Sequence, residues 1–371
     1  METLDDRVPV TLLSGFLGAG KTTLLNHLIR DPDAGRIAVI MNEFGDVGLD
    51  HDLIEEVTDD IVLMHAGCLC CSIRGDLAKT MILLLSRRKR GQLTFDRVVI
   101  ETTGIADPAP ILNTMVTNDL IADNYRPDGV VVLADAATGQ GALDTQFEAV
   151  RQIAMADLIV VTKSDLVTED ACAAFERRLG EMNSAARRVR GARGRVAPGT
   201  LFGLSAMRTS ASAEAIGDWL GTPAAHGAPS PTPSPTPAPI PARTPFETTP
   251  AEHRVNSASI EVEEPIPANV FDFWLDTLMA LRGPDILRIK GIVHVEGMDW
   301  PFVFHGVQHI FEAPVPLKSW TGTGTTSRVV VIARDMEKDE IAASLQVLRM
   351  RQKEVDAPPG GMMAHTTEMP F

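Results

Sequence analysis

The sequence predicts an α/β protein: a first domain on a mostly parallel sheet with helices on both faces, then a small α+β C-terminal domain. Three observations predict it. From Val8 to about Ala206 short β-branched runs alternate with longer amphipathic ones, the pattern of strands buried between helices. The stretch "PAAHGAPSPTPSPTPAPIPARTP" (Pro223–Pro245) then places nine prolines in 23 residues, and such a chain is extended and unable to join a sheet. Beyond Ser257 a new and shorter alternation begins.

In the first region "VPVTLLSG", "RIAVIMNEFG", "DIVLMHAG", "DRVVIETTG", "GVVVLADA", "DLIVVTKSD" and "TLFGLSA" each read as a buried strand ending in glycine or polar residues. "KTTLLNHLIR" and "DLAKTMILLLSRRKR" carry helical periodicity between them. The basic run "SRRKRG" (Ser86–Gly91) reads as the basic, glycine-stopped end of a helix rather than a nucleic-acid contact. In the second region "SASIEVEE", "DILRIKGIVHVEG", "PFVFHGVQHIFEA" and "SRVVVIAR" read as strands, and "PANVFDFWLDTLMALRG" and "EKDEIAASLQVLRM" as helices. This β-α-β-β-β-α order predicts a ferredoxin-like layer with an altered edge. The expected division is residues 1–222 and 251–352 as domains, 223–250 as a linker and 353–371 as a disordered tail.

A chain of 371 residues exceeds one typical core. Its formal charge of −15 opposes gripping nucleic acid or an anionic membrane through the overall field. No apolar run reaches the roughly 18 to 20 residues of a bilayer span. The acidic opening "METLDDRVPVTLLSG" reads as the entry to a strand rather than a signal peptide, so a cytoplasmic protein is expected. In a reducing compartment, cysteines close in sequence read as metal or redox ligands sooner than as structural disulfides.

"GFLGAGKT" (Gly15–Thr22) fits G-x-x-x-x-G-K-[ST] between a predicted strand and a predicted helix, the context that identifies a phosphate-binding P-loop. The first domain is therefore expected to be a P-loop NTPase. Its glycines let backbone N–H groups point inward at phosphate oxygens, and the helix N-terminus adds positive potential. Lys21 is placed to neutralise β/γ-phosphate charge and Thr22 to ligate Mg²⁺. "TKSD" (Thr162–Asp165) follows its strand in the right order for guanine recognition. Asp165 would accept from the base N1–H and 2-amino group, Lys163 would stack along the ring, and Thr162 stands where Asn is usual. Taken alone, the motif is also an ordinary polar turn. "LSA" (Leu204–Ala206) resembles a second guanine-contacting loop.

"NEFGDVGLD" (Asn42–Asp50) and "ETTG" (Glu101–Gly104) leave predicted strand ends facing this loop. Glu101 is a candidate for holding Mg²⁺ through water, the Gly104 N–H for sensing the γ-phosphate, and Asp46 for orienting the attacking water. Three of the four cysteines fall in "MHAGCLCCS" (Met64–Ser72). Adjacent cysteines strain a disulfide. Thiols brought to a helix N-terminus have lowered pKa values. Cys68, Cys70 and Cys71 together suit Zn²⁺ or another soft or borderline ion, with Glu43 or His65 as a fourth ligand; a small buried apolar cluster and redox work are the alternatives. Cys172, alone in a helical stretch, reads as core. His305 and His309 share a predicted strand face, with His294 on the strand before; they are either a second metal surface or solvent-facing strand histidines.

"GFLGAGKTTLL", "NEFGDVGLD", "GCLCC", "ETTG" and "TKSD", in that order, resemble the CobW family of metal-chaperone GTPases, relatives of the hydrogenase and urease nickel-insertion GTPases. "FHGVQHIFEA" resembles the end of a CobW C-terminal domain. The resemblance implies a GTPase that binds zinc, cobalt or another transition metal at CxCC and couples GTP hydrolysis to metal transfer to a client metalloprotein. Carried onto this chain, phosphate falls to Gly18, Ala19, Gly20, Lys21, Thr22 and Thr23, and Mg²⁺ to Thr22. The resemblance makes Glu43 and Asp46 switch acids, Glu101 the Walker-B-like acid, and Cys68, Cys70 and Cys71 the metal thiols. The rival readings are a zinc-stabilised, nucleotide-regulated binding protein and a P-loop ATPase or kinase.

Overall fold

The computed structural model describes residues 6–42, 62–66, 73–207, 211–221, 254–318, 320 and 324–351. The expected linker and tail lie outside the described residues. No described helix is long and apolar enough to cross a membrane.

The first sheet is built from β1 (Val8–Gly15), β2 (Ile37–Asn42), β3 (Val62–Ala66), β4 (Arg97–Thr102), β5 (Tyr125–Asp135), β6 (Leu158–Thr162) and β7 (Arg187–Arg190). Their spatial order is β3-β2-β4-β1-β5-β6-β7, and every pairing is parallel. Period-two alternation sends Val10, Leu12, Val130 and Val132 into one core cluster and Leu13, Val131 and Leu133 into the other, so the strands are buried on both faces. Helix α1 (Lys21–Ile29) presses Leu24, Leu25 and Leu28 onto the second face. Helices α2 (Ile73–Lys89), α3 (Ala109–Thr117), α4 (Asp119–Ala122), α5 (Gly139–Thr145), α6 (Phe147–Met155) and α7 (Glu169–Met182) follow in chain order, and all six contribute buried side chains to the first face. Cys172 on α7 is one of them, 1% exposed. α2 closes as its basic end predicts: Gly91 adopts φ 68° and its N–H returns to Arg88 O.

One expectation fails here. "TLFGLSA" is not a strand: it holds the end of the one-turn α8 (Pro198–Leu201) and an irregular stretch. The last parallel strand is β7, whose "RRVR" is exposed or half-exposed throughout. An edge strand has little apolar face to bury, so it carries no hydrophobic signature.

The second sheet joins β8 (Val255–Val262), β9 (Ile286–Val293), β10 (Phe302–Val307), β11 (Ile310–Phe311), β12 (Val315–Pro316) and β13 (Ser327–Arg334). It runs β11-β10-β9-β13-β8 with β12 on β10, antiparallel throughout. Helices α10 (Ala268–Arg282) and α11 (Lys338–Leu345) cover one face through Trp274, Leu278 and Leu345. On the other, Trp219 of α9 (Ala213–Leu220) packs with Ile292, Val303 and Val330, although α9 precedes the proline-rich stretch. This order is not ferredoxin-like. β8 and β9 do form a split β-α-β unit, joined by α10 and separated by β13, which is antiparallel to both, but β10 pairs on the outer side of β9 instead of lying between β8 and β9. The expected single strand "FVFHGVQHIF" is a hairpin that turns at Gln308, φ 55°.

Candidate functional site

β1 delivers the chain to a loop that only glycine can make. Gly15 has φ 142°, and a Cβ there would lie 2.5 Å from Leu133 O. Gly18 (φ 74°) and Gly20 (φ 97°) also take positive φ, and Gly20 caps α1. Lys21 then curls over its own loop, Nζ donating to Gly15 O at 2.8 Å and Phe16 O at 3.3 Å. These carbonyls fix the ammonium above a helix N-terminus, the arrangement that attracts phosphate. Ala19 is buried while Gly18 and Thr23 face solvent.

Thr162, at the end of β6, donates from Oγ1 to Ala19 O at 2.8 Å. The hydroxyl standing where an Asn was expected therefore ties the base-side strand to the phosphate loop. Lys163 follows in the left-handed region, φ 54°, and pairs with Asp135 at 2.8 Å. Burial works to raise the Asp135 pKa, but hydrogen bonds from Lys163, Ala137 and Thr138 outweigh it and hold the carboxyl below its ordinary value. Asp165, in the turn Ser164–Leu166, is exposed and points no hydrogen bond back into the fold among those described.

The expected second base loop is elsewhere. Leu204 packs on Gly129 and Gly203 N donates to Asp128 at 2.8 Å, near the opposite, amino end of β5. "LSA" is thus far from the phosphate loop. The segment that leaves the carboxyl end of β7, residues 191–195, occupies that side: Gly191 N donates to Val161 O, and a Cβ on Gly194 would lie 2.8 Å from Thr23 Cγ2. Only the sheet order reveals it, because "GARGR" has no motif of its own.

On the other flank Thr22 Oγ1 donates to Glu101 Oε1 at 3.0 Å, with Glu101 only 6% exposed. A hydroxyl and a carboxylate side by side at a strand end form the all-oxygen donor set that Mg²⁺ takes, so these residues fit that ion. Gly104 touches the phosphate loop directly: a Cβ there would come within 2.7 Å of Leu17 N and 2.8 Å of Leu17 Cα. Behind it, Gln152 of α6 donates to Gly104 O (3.1 Å) and Ala106 O (3.0 Å). Gln152 and Asp135 both escape the motif patterns. The signal for Gln152 was an amide amid the buried positions Ala149, Ile153 and Met155 of an amphipathic helix, where an unpaired polar group is costly.

Glu43, Asp46, Cys68, Cys70 and Cys71 lie outside the described residues, and His65 is described by its backbone in β3. Their strands are described: Asn42 at the end of β2 is in register with Ala66 of β3 and with Thr102 of β4. Among the described residues no group of three His, Cys, Asp or Glu side chains is placed to hold a metal ion.

The three C-terminal histidines do not share a face. His305 is buried on β10, accepting from Arg288 Nε at Nε2 (3.1 Å) with Nδ1 against Glu312 Oε1 (3.0 Å). His309 sits in the hairpin turn. His294 follows the far end of β9, edge-on to Trp320 at 6.1 Å. His294 and His305 are also not solvent-facing, at 9% and 5% exposed.

Comparison with known proteins agrees with this architecture. The chain matches the family model "CobW/HypB/UreG, nucleotide-binding domain" over residues 9–190 and "Cobalamin synthesis protein cobW C-terminal domain" over residues 255–349. It is 30% identical over 342 residues to the zinc chaperone YjiA of Escherichia coli, covering 92% of this chain and 99% of that protein. To the zinc chaperone CobW of Pseudomonas aeruginosa it is 29% identical over 379 residues, covering 93% and 92%. The crystal structure of Zn(II)-bound YjiA GTPase from E. coli matches with a TM-score of 0.67 at 26% identity, covering 93% of this chain and 99% of that one. With both domain models matched in order and a relative aligned along nearly its whole length, the chain belongs to the CobW/HypB/UreG family.

Proposed function

We propose that this protein is a GTP-hydrolysing zinc chaperone whose Cys68, Cys70 and Cys71 hold the ion, and whose nucleotide state governs its release to a client metalloprotein. The observation that carries the reading is strand register. Asn42, Ala66 and Thr102 end neighbouring strands at one level, so β2, β3 and β4 all end on the side of the sheet where Thr22 meets Glu101, and "NEFGDVGLD", "GCLCC" and the Gly104 loop follow those three ends in sequence. The names of the zinc chaperone relatives support zinc as the cargo.

In this reading the backbone of Gly18–Thr23 and the Lys21 ammonium receive the phosphates. Thr22, with Glu101 behind it, holds Mg²⁺, which neutralises charge on the β- and γ-oxygens when bound. Gly104 offers its N–H to the γ-phosphate and Asp46 orients the attacking water. Lys163 lies along the base, braced by Asp135, while Asp165 accepts from guanine. Glu43 bridges the switch segment to the metal. Residues 1–222 serve as the GTPase domain and 251–352 as the domain that presents the nucleotide state to the client, joined by the proline-rich 223–250.

Zinc affinity measured by chelator competition, with GTP analogue, GDP and no nucleotide, tests the coupling; three equal affinities sink it. Cys70→Ser with Cys71→Ser should abolish zinc binding and leave the melting temperature near wild type. A sharp fall in melting temperature would favour structural zinc, and faster turnover of ATP than GTP would favour an ATPase or kinase.

A further inference from the structure

The loop after β4 is held from behind by one helix, and that helix is held in turn by the C-terminal domain. Gln152, 0% exposed, donates both of its described bonds to the carbonyls of Gly104 and Ala106. Arg151 beside it pairs with Asp107 at 2.9 Å. Three residues on, where α6 ends, the Met155 carbonyl accepts from Arg288 Nη1, and Asp157, two residues further, meets Arg288 Nη2 at 2.7 Å. Arg288 belongs to β9 and also donates to His305. Gln152 and Met155 lie about one turn apart on α6, and a shift at the Arg288 contact is carried to the Gln152 amide because packed interiors do not deform continuously.

The loop end of this linkage is under-bonded. Gln152 Oε1 and Thr103 Oγ1 are both buried without a hydrogen-bond partner among the described residues. Buried polar atoms normally find partners, so these two atoms leave residues 103–106 a hydrogen bond to gain from a second arrangement that brings a donor to Gln152 Oε1. Coupling between sites requires two such arrangements, each biased from a different side.

We propose that Gln152 is a positioning residue for the Gly104 loop, and that Arg288 sets its place from the C-terminal domain through α6. The proposal rests on the reading of the chain as a GTPase whose Gly104 meets the γ-phosphate. A ligand that binds the two loop arrangements unequally shifts α6, and by reciprocity a partner that moves β9 changes the preference for GTP over GDP.

The test uses the full chain. GDP affinity, GTP-analogue affinity and GTP turnover are measured for wild type, Gln152→Leu, Arg288→Met and the double variant. Gln152→Leu should weaken the GTP analogue and slow turnover about tenfold, the effect of one lost hydrogen-bonding site, while GDP affinity stays within about twofold. Arg288→Met should shift the analogue-to-GDP ratio the same way, and the double variant should fall short of the product of the two shifts. An unchanged ratio in Gln152→Leu, equal weakening of both nucleotides, or simple multiplication in the double variant overturns the proposal. If Gln152→Leu does not fold, Arg151→Met cuts the Asp107 tie to the same loop, along with the Arg151 contact on the Phe147 ring of its own helix, and an unchanged ratio there counts against it equally. Failure of the wild type itself to bind or turn over GTP would instead overturn the reading of the site.

Discussion

Asp157 and Arg288 stand 2.7 Å apart although 131 residues separate them in sequence. The carboxylate also meets Lys290 at 2.6 Å and accepts from Val130 N at 2.9 Å. The side chains of Asp157, Arg288 and Lys290 are 4%, 3% and 2% exposed, so two cations share one anion in a dry junction between the two sheets. Burial works to raise the Asp157 pKa, but Arg288 and Lys290 overcome it and hold it far below the ordinary value. The excess positive charge falls on Lys290, which burial and the neighbouring Arg288 push down to about 8.

Asp157→Asn should therefore be the most damaging change at this junction. It leaves two buried cations without a counter-ion, and breaking such a set costs about 3–5 kcal/mol. Lys290→Met removes the surplus charge while Arg288 keeps Asp157 paired, so its cost should stay under about 1 kcal/mol. Urea unfolding of the two variants checks the ranking, and a Lys290→Met change as large as that of Asp157→Asn would refute it.

His305 makes the same junction sensitive to acid. Its Nε2 accepts from Arg288, so the ring must be neutral there; burial first, then the Arg288 charge, hold its pKa below the ordinary value. The folded state thus binds fewer protons than the unfolded chain. The contribution to stability is complete above the usual histidine range and is lost as pH falls from about 6.5 towards the folded value. Wild type should lose more unfolding free energy than His305→Gln between about pH 7.5 and about pH 5.5. Parallel losses would show that another group governs the acid limb.

The Thr22–Glu101 contact predicts a metal-dependent defect. Glu101→Gln keeps the shape but removes the charge beside the Thr22 hydroxyl, and loss of such an outer partner typically costs about 10–100-fold in metal affinity or activity. GTP turnover should fall by that factor and recover in part at high Mg²⁺, while GDP binding without Mg²⁺ stays near wild type. Equal loss at every Mg²⁺ concentration would place Glu101 in another role.

The proposed reading gives Thr162 and Asp165, three residues apart, separable duties. Thr162→Val cuts the tie to Ala19 O and should weaken GTP and ATP alike, by about tenfold. Asp165→Asn should instead narrow the preference for GTP over ATP by about tenfold or more, because an acceptor for two base donors becomes an amide. Competition binding with the two nucleotides separates the cases. A specificity change in Thr162→Val, or none in Asp165→Asn, contradicts this division.

The phosphate loop was legible because its requirements are local. Gly15, Gly18 and Gly20 each need positive φ, and Lys21 and Thr22 follow at fixed spacing on a helix N-terminus. The place of "TKSD" at the end of β6 was legible in the same way. Asp135, Gln152 and residues 191–195 were not, since each acts across the fold on a partner distant in sequence: Asp135 on Lys163, Gln152 on Gly104, and Gly194 beside Thr23. "LSA" misled for the converse reason, matching a short pattern at the wrong end of β5.

By itself the sequence determined the class of the first domain, the phosphate loop and the first six strands of its sheet in chain order. Those features follow from hydrophobic period and glycine spacing, which act within a few residues. Only the tertiary structure decided that β7 rather than "TLFGLSA" closes the sheet, that the second sheet is an antiparallel β8–β13–β9–β10 layer, and that His294, His305 and His309 part company. The same holds for the clamp of Arg288 on Asp157 and the end of α6. Strand neighbours and buried charge pairs depend on which distant segments lie side by side, and no local pattern encodes that adjacency.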